Sequence, residues 1–198
     1  MNILMQMMLY ALMGVFTQNL IFTSGVGAER ALRTPHSMKR IVISSLTVMF
    51  FSWISISGMY LIRMLSSRYP ILENMRVLLL VTVMVIVYLI LMCLSNRIHK
   101  PTFAILAEAL PSSIFNSVVI MAGVVEQMLS LSYSQATGYA IGTGAGFFLA
   151  TVLVREAIDD VENPAMPPAF VGLPSLLIYI GILAMAFVGF VGGPSVFL

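Results

Sequence analysis

Six apolar stretches take up almost all of a 198-residue chain. They run from about residue 1 to 22, 41 to 62, 77 to 94, 103 to 125, 136 to 154 and 173 to 191. Roughly 20 apolar residues carry a helix across a hydrocarbon core of about 30 Å. Six such segments leave no space for a soluble catalytic domain. A content of 60% hydrophobic and 9% charged residues, with a mean hydropathy of +1.01, points the same way. The expected fold is therefore an all-α integral membrane protein, with residues 1–198 forming one domain. The net charge of +2 is small and its basic residues sit in connectors, which argues against nucleic-acid binding. Cys93 is the single cysteine, so no internal disulfide is possible. The N-terminal stretch lacks a basic leader and a small-residue cleavage motif, and so is not read as a removable signal.

Two of the six stretches carry polar interruptions that an ordinary spanning helix does not need. One is Gln18-Asn19, followed by Thr23-Ser24-Gly25-Val26-Gly27, where the helix is expected to unwind. The other is Leu110-Pro111-Ser112-Ser113, followed by Asn116-Ser117. Asn19 and Asn116 stand 97 residues apart, close to half the chain. Shifting the first half by that amount lays segment one on four, two on five and three on six. Three spans per unit is an odd number, so the second copy enters the membrane from the opposite side. The expectation is two inverted three-helix repeats, about 1–97 and 98–198, with the first helix of each broken. Such repeats place sites near the midplane, where broken helices meet. Asn19, Gly25, Gly27, Glu108, Pro111, Asn116 and Ser117 are the candidate midplane residues.

Glu108 allows two readings: a carboxylate solvated near the headgroups, or one that contacts a transported cation together with Glu29 or Asn116. Gly138, Gly142 and Gly146 recur every four residues, a stripe that lets another helix backbone approach closely. Asp159, Asp160 and Glu162 read as a solvated acidic loop rather than a metal site. His36 and His99 lie among basic residues and suit headgroup contact. No metal site and no catalytic constellation is expected. Seven Lys and Arg residues lie in the loops after segments one, three and five, against three after segments two and four. The positive-inside rule then puts both termini outside the cell membrane.

These residues resemble the paired membrane subunits of the Rnf and Nqr electron-transport complexes. The second repeat of that family begins Leu-Pro-x-x-x-x-Asn-Cys; here Leu110-Pro111 is followed by Asn116-Ser117. Arg155-Glu156, Phe170-Val171-Gly172 and Ala186-Phe187-Val188-Gly189-Phe190 match the family's later motifs. They look most like the A subunit of Rnf and its counterpart, the E subunit of Nqr. The resemblance implies a non-catalytic membrane subunit that pairs with a homologous subunit through helix five and the broken helices. The assembly would couple oxidation of ferredoxin or NADH to export of Na+ or H+. The family holds a [2Fe–2S] cluster with cysteines of both paired chains. The matching positions here are Glu29 and Ser117, so the chain is expected to supply no cluster ligand in the usual way. The alternative from another class is a six-helix component of a vitamin-type small-molecule transporter.

Overall fold

The computed structural model describes residues 2–33, 37–95, 113–161, 167 and 170–191. Glu108, Pro111, His36, His99 and Glu162 lie outside the described residues, so the expectations placed on them are not addressed by the fold.

The described chain is helical. Helix α1 (Ile3–Leu12) passes into a π-helical turn at Met13–Thr17. A short α2 (Leu20–Ser24) and α3 (Ala28–Arg33) follow. Helix α4 spans Met38–Ser66, and a 3₁₀ turn at Pro70–Met75 leads into α5 (Arg76–Ser95). The second half contributes α6 (Ser117–Leu129), α7 (Tyr133–Val161) and α8 (Leu173–Val191). Helices within Met38–Ser66, Ile71–Cys93 and Tyr133–Ile158 are long and apolar enough to cross a membrane; those within Ile3–Thr17, Ser117–Leu129 and Leu173–Gly189 are apolar but shorter. Asp159 and Asp160 continue the last turns of α7 and are not in a loop.

The first interruption falls a few residues earlier than expected. Thr23 and Ser24 are helical rather than unwound. The helix instead breaks at Gln18–Asn19 and turns at Gly25 and Gly27, both with left-handed φ (68° and 83°). The reason is local. Asn19 restarts the helix as its cap, and the Thr23 hydroxyl donates back to the Asn19 carbonyl at 2.6 Å.

Helices α4 and α7 form the centre, with α1 along α7 and α6 along α4. Met7 meets Gly138, Ala11 meets Gly142 and Gly14 meets Gly146, so α1 and α7 run parallel. Ser55 meets Gly123 and Arg63 meets Glu126, so α4 and α6 also run parallel. Tyr60 against Tyr133 and Met49 against Gly144 set α4 and α7 antiparallel. The glycine stripe of α7 is thus filled by α1 of the same chain. This corrects the expectation that it receives a second chain. A Cβ at Gly138 or Gly142 would run into the carbonyl oxygen of Met7 or Ala11, so only glycine allows this approach.

The core holds Phe22, Phe51, Ile56, Tyr139, Phe147 and Phe187, with the rings of Phe22 and Phe187 joining α2 to α8 at 4.5 Å. Helix α5 and helix α8 turn large apolar side chains outward. Leu78, Ile90, Leu173 and Met185 are each about two-thirds exposed (62%, 60%, 66% and 69%). An apolar surface of that extent is costly in water and ordinary in lipid.

Candidate functional site

Two helix breaks meet inside this bundle. At the first, the Asn19 side-chain oxygen accepts from the backbone N–H of Ile21 (3.1 Å) and Phe22 (3.4 Å). Its amide nitrogen donates to the carbonyls of Val15 (2.9 Å) and Gly146 (3.3 Å). One side chain therefore satisfies both sides of the break and ties it to α7. Asn19 is 1% exposed, where an unpaired amide would be costly.

At the second break, Asn116 caps α6, and its oxygen accepts from the N–H of Val118 at 3.1 Å. The Asn116 amide nitrogen is buried without a partner. Ser113, just upstream, shares a 2.9 Å hydrogen bond with Thr47 of α4. Gly27 closes the distance between the two breaks. A Cβ there would overlap the Val118 side chain and lie 3.4 Å from the Asn116 oxygen. Glu29 and Ser117 flank this contact, and both are exposed. Gly25, by contrast, has open space around it. The structure therefore gathers Asn19, Gly27, Asn116 and Ser117 around the meeting of α2, α3 and α6.

The donor chemistry here does not fit an iron–sulfur cluster. A carboxylate and a hydroxyl stand where soft thiolates are needed. Cys93 is an exposed residue near the end of α5, on a different element. Among the described residues, no group of three or more His, Cys, Asp or Glu could hold a metal ion.

A second polar centre is not evident from the sequence, where segment four ends at Val125. Glu126 is completely buried, and Arg63 Nη2 lies 3.0 Å from its Oε1. Neither carboxylate oxygen accepts a directed hydrogen bond, so the contact is a charge pair off the hydrogen-bond axis. Arg63 also donates to the Leu131 carbonyl (2.8 Å) and lies over the Tyr60 ring at 5.2 Å. Arg76 donates to Ser66 (2.9 Å) and pairs with Glu73 (3.2 Å). Opposite charges at the ends of two apolar segments were the available signal, but it needed the parallel course of α4 and α6 to be visible.

No family model matches the chain. Individual relatives do. The A subunit of an ion-translocating oxidoreductase complex from Glaesserella parasuis serovar 5 (strain SH0165) is 27% identical over 120 residues, 61% of this chain and 62% of that protein. The protein of the same description from Syntrophotalea carbinolica is 36% identical over 83 residues, 42% of this chain and 43% of the relative. Its relatives are the A subunits of ion-translocating oxidoreductase complexes. A third, from the Na(+)-translocating ferredoxin:NAD(+) oxidoreductase complex of Acetobacterium woodii, is 24% identical over 183 residues, 90% of this chain and 93% of the relative. The chain thus spans less than two thirds of the length of the first two relatives, and nearly all of the third. This kinship and the outward apolar faces of α5 and α8 identify a membrane protein.

Proposed function

We propose that this chain is a membrane subunit of an ion-translocating electron-transport complex. It pairs with a homologous membrane chain and contributes no iron–sulfur ligand of its own. Its six apolar segments are six spans in two inverted three-helix repeats, about residues 1–97 and 98–198, with both termini outside the cell membrane. The complex would couple ferredoxin or NADH oxidation to movement of Na+ or H+, while this chain catalyses nothing by itself.

The observation that carries this reading is the contact between the two asparagine-capped breaks at Gly27 and Val118, in a chain whose relatives are A subunits. The packing supports the repeat. A shift of 97 residues turns α1 along α7 into the chain around Ser113–Glu126 along α4, and α2 on α8 into α6 on α5. Backbone bent at such depth is tolerated where protein buries it, and Asn19 and Asn116 are both buried. The exposed Glu29 and Ser117 support a pairing surface there that carries no thiolate.

Purification from native membranes under mild detergent tests the proposal. Redox subunits should accompany the chain, and no iron should remain on it after they are stripped away. Isolation of the chain with no redox protein attached, or iron that stays bound to it alone, would sink the reading.

A further inference from the structure

We propose that Glu126 is the binding site of a small cation, a sodium ion or a proton, for which the Arg63 guanidinium is the resident counter-charge.

The geometry of the carboxylate is the starting point. Glu126 sits on α6 with no solvent exposure, and its Oε2 has no hydrogen-bond partner. Arg63 approaches only Oε1, from an arginine side chain that is itself 24% exposed. One face of the buried anion is therefore held by a group that can swing toward water. The other face is left to the protein interior. An ionisable residue on an apolar membrane helix is costly unless it serves a purpose. A purely structural pair would be expected to fill its remaining lone pairs.

The seam that Glu126 occupies is polar beyond what packing needs. One turn earlier on the same helix, Gly123 lies against Ser55, its missing Cβ leaving 2.7 Å to the Ser55 hydroxyl oxygen. Ser55 and Ser52 on α4 are both fully buried and their hydroxyls have no partner. Elsewhere in the bundle, buried hydroxyls donate back to their own helix, as Ser45, Thr143 and Thr151 do. Hydroxyls left free beside a carboxylate suit a hydrated cation path. The charged and titratable groups facing Glu126 are Arg63 and Tyr60 from α4, Arg76 and Glu73 from the start of α5, and Tyr133 from α7 beside Tyr60. No second carboxylate besides Glu73 competes among these, and Glu73 is engaged by Arg76.

This deepens the proposed function by naming a cation-binding residue, but it needs only the membrane setting and no redox partner. The test uses the full-length chain in neutral-lipid nanodiscs, with melting followed by Trp53 fluorescence. Sodium chloride replaces choline chloride at constant ionic strength, over a pH series. For a sodium site, sodium ions raise the melting temperature of the wild type and the rise vanishes in Glu126→Gln. In Arg63→Gln, which keeps the carboxylate and removes its competitor, half-maximal stabilisation moves to about tenfold lower sodium. For a proton site, sodium has no effect, and the infrared band of a protonated carboxyl grows at low pH in the wild type but not in Glu126→Gln. If neither sodium nor pH gives a response that depends on residue 126, in the wild type or in Arg63→Gln, the pair is structural and the proposal is wrong. Cation binding by a chain that recruits no redox protein would keep this inference and discard the preceding one.

Discussion

The side-chain amide of Asn19 donates to the carbonyl of Gly146 across 3.3 Å, joining the first helix break to the glycine face of α7. The same side chain caps α2 and closes the end of the π-helical turn through Val15. Removing it orphans two N–H groups and two carbonyls at a position that water does not reach.

Asn19→Ala should therefore cost about 2 kcal/mol, combining a lost cap with buried unpaired groups. Asn116→Ala should cost less, because the Asn116 amide nitrogen has no partner to lose. Thermal or denaturant unfolding in detergent micelles orders the two variants. An equal loss would contradict the hydrogen-bond inventory.

The α1–α7 contact makes a sharper forecast. Gly142→Ala puts a methyl into the Ala11 carbonyl and should force the helices apart, at a loss of about 2–3 kcal/mol. Gly181→Ala on α8 meets nothing within 4 Å and should be neutral or slightly stabilising. Comparing the melting temperatures of the two variants checks this, since composition changes identically in both.

The two ion pairs should behave differently. Glu73 is 63% exposed in its pair with Arg76, so Glu73→Gln should change stability by no more than about 0.5 kcal/mol. Glu126→Leu leaves Arg63 facing a desolvated pocket and should cost about 3 kcal/mol or more, with partial recovery in the Arg63→Met double variant. A double-mutant cycle on unfolding free energies measures the coupling. Additive losses would show that the buried pair is not a pair in energetic terms.

Cys93 offers a natural probe of orientation. It is exposed and close to the end of α5, whose following connector carries Arg97 and Lys100 and is expected on the cytoplasmic side. A membrane-impermeant maleimide should label inside-out vesicles and leave intact spheroplasts unlabelled. The reverse pattern would invert the proposed topology.

Much of the architecture was readable from run length alone, because a bilayer demands about 20 apolar residues per crossing. The position of each break was less so. Asn19 and Asn116 announced themselves as amides in apolar surroundings, yet Thr23 and Ser24 looked like helix breakers and are helical, because the Thr23 hydroxyl bonds within its own turn. The π-helical turn at Met13–Thr17 leaves no mark in residue type. The glycine stripe predicted a close neighbour without naming it, since spacing describes one surface and not its complement. Glu126 and Arg63 are 63 positions apart, and nothing local to either reports that two helices run side by side in the same direction. Glu108 and Pro111 fall outside the described residues, so their placing rests on the sequence.

The snug seat of Gly27 beneath Val118 bears on how the chain is made. Ribosomes deliver residue 27 long before residue 118. During that interval the left-handed turn has no lid, and the early segments must wait in the translocation machinery or in lipid, unfinished. The later segments then act as the mould that sets the earlier ones. Genetic fission between α5 and α6 should therefore yield two fragments that are each degraded when made alone and rescued when made together.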